Sequence, residues 1–153
     1  MFYKGRCKMI TYNTVKQIYG RNYSSMQLFH RDYFNQLVYT EGVMDFQKTL
    51  NAYWVVDNVI SYMDSVIKTF KETEDSFFVV EIGVKQDKTG YMEVFHEGYI
   101  GNDYHDHLSV IYQKIPFIDL PIKVDEEVTT YKFYMSLHNY NPIQFMLLLP
   151  SEY

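Results

Sequence analysis

The run Asp103-Tyr104-His105-Asp106-His107 is the densest set of metal-ligating side chains in the chain. On extended backbone Asp103, His105 and His107 project to one side, giving the two-histidine, one-carboxylate set that zinc or iron accepts, and His96 on the preceding strand would join it across the turn. A metal-dependent enzyme is one reading of this cluster. The plainer one is a solvated reversal, because Gly98, Gly101 and Asn102 are turn residues and polar side chains gather in exposed turns. Other chemistry is thinner. Cys7 stands alone, no G-x-S-x-G elbow occurs, and no glycine-rich phosphate loop is followed by a lysine. The carboxylates Glu72/Glu74 and Asp125/Glu126/Glu127 fall in links where ionisation costs little, so neither set acquires the raised pKa of a general acid. Apart from the zinc or iron alternative, no cofactor is expected.

Charge supplies a second candidate. Residues 1–31 hold Lys4, Arg6, Lys8, Lys16, Arg21 and Arg31 with no Asp or Glu, while the rest of the chain sets 8 Lys and Arg against 19 Asp and Glu. Tyr3, Tyr12, Tyr19 and Tyr23 are interleaved with those cations, the mix that tracks a phosphate backbone and stacks on bases. Nucleic-acid contact through Lys4, Arg6, Lys8 and Arg21 is therefore an alternative. The preferred reading lays the basic segment 1–26 on the acidic body, since Ile10, Val15 and Ile18 need burial and the net charge of −5 repels phosphate.

The elements that must position these residues follow from periodicity. A short helix is expected over 13–20, capped by Asn13. Thr40 is an N-cap for a helix from Glu41 to about Leu50, with Tyr39 and Met44 placed as a hydrophobic staple. Asn51 reads as a second N-cap, opening a long helix over about 52–70. There Ala52, Val55, Val56, Val59, Ile60, Tyr62, Met63, Val66, Ile67 and Phe70 share one half of the wheel. Trp54, Asp57, Asn58 and Ser61 lie on the opposite side, where an indole either covers a second layer or meets a partner. From Phe77 the period becomes two, and strands are expected over 77–85, 91–96, 108–115, 131–137 and 143–149, the last apolar enough to be buried on both faces. Pro116 and Pro121 impose extended chain between the third and fourth. The expected fold is α+β: N-terminal helices, including the long amphipathic one, packed on an antiparallel sheet of about five strands spanning 77–149.

Three short motifs stand in order: Tyr39-Thr40-Glu41-Gly42, Ala52-Tyr53-Trp54-Val55-Val56-Asp57, and the terminal Leu149-Pro150-Ser151-Glu152-Tyr153. They resemble a small bacterial and phage family, the domain of unknown function 6876. The resemblance runs from about Gln27 to Tyr153 and implies a cytosolic single domain, often borne by phages or plasmids, with no assigned activity. Read physically, Thr40 caps, Gly42 allows close approach, and Pro150 ends the last strand. A tail folded back would bring Glu152 and the terminal carboxylate to Trp54, Asp57 and Ser61.

At 153 residues the chain has the length of one domain, set here at 27–153 with 1–26 as its basic segment. Sixteen Tyr, 11 Phe and a single alanine demand a core of large side chains. One cysteine excludes an internal disulfide framework and fits a reducing compartment. Neither a membrane span nor a secretory leader is legible, so a cytoplasmic setting is expected. The functional expectation is a non-enzymatic protein-binding or accessory factor of a mobile element, meeting a protein partner around Trp54, Asp57, Asn58 and Ser61.

Overall fold

The computed structural model describes residues 15, 17–18, 27–31, 35–121, 124 and 127–153. Strands β1 (Leu28–Phe29) and β2 (Leu37–Thr40) run into helices α1 (Glu41–Leu50) and α2 (Tyr53–Thr73). Five strands follow: β3 (Phe77–Lys85), β4 (Gly90–Ile100), β5 (Asp103–Ile115), β6 (Val128–Tyr140) and β7 (Ile143–Leu148). A 3-10 turn at Pro150–Glu152 ends the chain.

Among the described residues these strands form one seven-stranded sheet in the order β1-β2-β7-β6-β3-β4-β5. All pairings are antiparallel except β2 with β7, which is parallel. The expected architecture of N-terminal helices on five strands is therefore corrected. Two strands precede α1 and α2, and the molecule is dominated by its sheet. The physical reason lies in β2, whose four residues are all buried and so show no alternation. Its Tyr39 and Thr40 also carry the start signals of the helix they enter, and its partner β7 stands at the other end of the chain.

Local signals account for the helices. Thr40 Oγ1 accepts from the Val43 N–H at 3.3 Å, and Glu41 occupies the first turn. Asn51 does not cap α2. It closes α1 in the left-handed region (φ 51°), which asparagine tolerates, and Ala52 begins α2 without a side-chain bond. On α2, Ala52, Val55, Val56, Val59, Tyr62, Met63, Val66 and Phe70 are buried as the wheel required, with Ile60 and Ile67 half-buried at its margins. They meet Phe78, Val80, Ile82, Met92, Val94, Tyr131, Phe133, Phe145 and Leu147 from the sheet. Rings lock edge to face, Phe46 on Phe133 at 5.0 Å and Phe70 on Phe145 at 5.8 Å. Both helices thus cover one face of the sheet; the residues that alternate with this core point to the other.

Val15 and Ile18, helical and fully buried, join the same core, while the rest of the helix expected over 13–20 lies outside the described residues. No helix among the described residues is long and apolar enough to cross a membrane.

Candidate functional site

The β3–β4 ladder ends at the pair Val79–Phe95. Phe77 and Phe78 continue with β6 alone, and β4 from His96 onward pairs only with β5. The sheet forks there. Helix α2 closes into the fork through Glu74, a left-handed cap (φ 64°) whose N–H reaches the Phe70 carbonyl at 2.7 Å. Asp75 follows, its N–H held by Thr73 Oγ1 at 3.2 Å.

Asp75 Oδ2 lies 2.8 Å from His96 Nδ1. A carboxylate only accepts, so Nδ1 carries the proton, and in the neutral ring Nε2 is an acceptor. The ring is 6% exposed and lies 5.4 Å from Phe78. Each hydrogen bond of His96 runs through Nδ1, to Asp75 and to the Glu97 carbonyl at 3.2 Å, which leaves Nε2 without a partner among the described residues. Gly98 makes this possible: a Cβ there would stand 2.8 Å from Asp75 Oδ2. A cavity of about 350 Å³ opens beside the pair, with Phe77, Val79 and Phe95 as apolar walls and Glu74, Asp75 and Glu97 as its acidic members. No lysine or arginine lines it among the described residues.

Next to the cavity, on the helix-free face, Glu81 and Glu93 are cross-strand neighbours with side chains only 15% and 11% exposed. Each is answered. Tyr91 Oη donates to Glu81 at 2.6 Å, and Lys132 Nζ stands 3.8 Å from it. His107 Nε2 lies 3.0 Å from Glu93, its ring stacked at 4.0 Å on Phe95. Burial, first, and the bond to Glu81 push the Tyr91 phenol far above its ordinary value.

The residues singled out from the sequence are placed as follows. Asp103, His105 and His107 all lie on β5, but the ladder shifts between His96–Leu108 and Gly98–His105, which breaks the alternation between His105 and His107. His107 turns to Glu93, and His96 turns to Asp75. Among the described residues no three His, Cys, Asp or Glu side chains gather as a metal would need. Trp54 is half-buried and donates Nε1–H to the Asp119 carbonyl at 2.9 Å, covering the strap after β5. Asp57 pairs with Arg31 at 2.8 Å, Asn58 reaches Met92 Sδ at 3.5 Å, and the Ser61 hydroxyl donates to the Asn58 carbonyl at 2.6 Å. Lys4, Arg6, Lys8, Arg21 and Cys7 lie outside the described residues.

The recurring motifs turn out to hold the fold together. Glu152 takes the Thr40 hydroxyl at 2.6 Å, the Gly42 N–H at 3.1 Å and the Leu149 N–H at 2.9 Å, binding the end of the chain to the start of α1. The expected meeting of Glu152 with Trp54 and Ser61 does not occur; the positive end of α1 draws the carboxylate instead. Arg31 gathers the middle motif, bonding Gln47 at 2.6 Å, the Tyr53 carbonyl at 2.8 Å and Asp57, with its guanidinium over the rings of Tyr39 and Tyr53. The Asp75–His96 pair was not legible in any motif. Its one signal was Gly98, a glycine inside a strand, which marks close approach.

Residues 16–153 match the model of a family of unknown function, DUF6876, and the chain belongs to that family. The match reaches further toward the N-terminus than the motifs do. No curated protein and no solved structure matches the chain.

Proposed function

We propose that the protein is a binding factor without chemistry of its own, and that it meets a protein partner through the arm formed by the outer ends of β4 and β5. Past the fork these strands pair only with each other, Gly98 with His105, Tyr99 with Tyr104 and Ile100 with Asp103. One observation carries the reading: Tyr99, Ile100 and Tyr104, 68%, 60% and 53% exposed, crowd the tip of this two-stranded ribbon. Large apolar side chains grouped on a protrusion are disfavoured in water and are the residue types that anchor interfaces. The ribbon is also ordered in advance. Tyr99 and Tyr104 pack edge to face at 5.4 Å, and the Tyr104 hydroxyl donates to Glu97, so little ordering entropy remains to be lost on docking.

The partner surface is thereby moved from Trp54, Asp57, Asn58 and Ser61, which engage their own chain, to the arm. A role as an accessory protein of a phage or plasmid is compatible with such an adaptor. The test is a photo-crosslinking residue at position 100 of the full chain, expressed in the cells that carry it. A discrete protein adduct that disappears in Tyr99→Ser/Tyr104→Ser is expected. No adduct, or the same adduct from a crosslinker at the exposed helical position 48, would reject the arm as the docking surface.

A further inference from the structure

We infer that the cavity in the fork is a second site that takes a small organic cation, an amine or guanidinium on a flat apolar body. Four observations point the same way. The cavity, about 350 Å³, falls near the low end of small-molecule pockets, ~300–1,000 Å³. Its walls Phe77 and Phe95 present aromatic surface that suits a flat body and attracts a cation. Glu74, Asp75 and Glu97 bring three carboxylates to it with no lysine or arginine among the described residues that line it, which favours a positively charged ligand. His96, buried and oriented by Asp75, lines the cavity, and with Nδ1 held by Asp75 its neutral ring has Nε2 as an acceptor for a ligand N–H or O–H.

Other occupants fit less well. An anion would meet the three carboxylates with no cation to receive it. A bare metal ion needs converging ligands, and no group of three gathers among the described residues. Glu74 adds a detail in favour of a ligand. The left-handed position that closes α2 is one glycine fills without strain, yet the chain sets a carboxylate there, next to Asp75.

Benzamidine and phenethylamine serve as probes against the uncharged benzamide and the anionic benzoate, with the full chain and the side-chain ring resonances of His96 as readout. The two cations should shift those resonances saturably; benzamide should do so weakly, and benzoate not at all. Glu74→Gln/Glu97→Gln, two exposed positions whose change leaves the core untouched, should weaken benzamidine about tenfold at low salt and by less as salt rises. Because loss of the His96 residue risks the fold, His96→Gln is paired with a thermal melt, and a folded variant, titrated by calorimetry beside the parent, should bind benzamidine several-fold more weakly while still rejecting benzoate. Failure of both cations to shift His96, or an equal response to benzoate, would overturn the inference. Neither result bears on the arm, which is read by crosslinking alone.

Discussion

Two ends of this molecule treat charge in opposite ways. Where β2 meets α1, two charged groups are answered several times over within the chain: Glu152 by Thr40, Gly42 and Leu149, and Arg31 by Gln47, the Tyr53 carbonyl and Asp57. At the fork, Glu74, Asp75 and Glu97 surround a cavity with no lysine or arginine among the described residues of its lining, and the adjoining arm holds three large apolar side chains in water. The first arrangement lowers the energy of the folded chain and leaves little to offer a ligand. The second is the kind of surface on which the proposed arm and cavity rest. The short motifs legible in the sequence, around Thr40, Tyr53 and Glu152, belong to the first, and the residues that line the fork carry no motif at all.

The sharpest way to break the comparison is to unlock the closed end. Glu152→Ala strips the carboxylate from three donors and should cost about 3 kcal/mol, read by urea unfolding. Gly42→Ala should cost nearly as much, since its Cβ would stand 2.4 Å from Glu152 Oε1 and push the carboxylate off its donors. In the double variant the two losses should not add, because both remove one interaction. Additive losses would show that Gly42 acts through backbone freedom alone and that the lock is misassigned.

Arg31 is the next step down. Arg31→Ala should lose about 1–2 kcal/mol, discounted for the partial exposure of the Asp57 pair, and Arg31→Lys should recover little of it, because one ammonium cannot span Gln47, a carbonyl and a carboxylate. Full recovery by lysine in the same unfolding experiment would reduce the hub to simple charge.

The open end should respond in the other direction. Glu74→Gly relaxes a left-handed residue and should stabilise the protein by about 0.5–1 kcal/mol while weakening benzamidine. Stability and binding moving oppositely at one position would mark strain kept for function. Destabilisation by glycine would place Glu74 with the locked residues instead. Tyr99→Ser/Tyr104→Ser should leave the urea midpoint at neutral pH close to that of the parent, as befits surface positions, and still abolish crosslinking from position 100.

How much of this was legible follows from distance along the chain. Caps and staples act over three or four residues, so α1 and α2 could be drawn from Thr40, Tyr39 and Met44 and from the apolar half of 52–70. Strand β2 could not, because four residues buried on both faces carry no period and the parallel partner β7 is remote. Glu152 was visible as part of a motif, yet its partners were misassigned to Trp54 and Ser61, since nothing local states which helix start a tail will cap. The fork was hidden more deeply. Asp75 reads as a solvated link and His96 as a strand residue near a metal-like cluster; they meet because β3 parts from β4 after Val79, a fact of topology. The ladder shift between His96–Leu108 and Gly98–His105 likewise breaks the alternation that would set His105 beside His107.

The smallest expected effect joins the cavity to the arm. Tyr104 donates its hydroxyl to Glu97, and that bond, ahead of burial and the nearby negative charges, pushes the phenol up to about 12. A folded-state value above the ordinary 10.0 means that the folded chain holds this proton longer than the unfolded one. The contribution is therefore complete below pH 10 and fades as pH rises from 10 toward 12, and Tyr104→Phe should flatten stability across that window. Phenolate absorbance should show one late-titrating tyrosine disappear in Tyr104→Phe and return toward 10 in Glu97→Gln. If Glu97→Gln weakens benzamidine while leaving the tyrosine titration unmoved, Glu97 serves the cavity alone, and arm and fork are separate surfaces. If both move together, the carboxylate that receives the cation also fixes the ribbon, and a ligand in the fork has a direct path to the shape the arm presents.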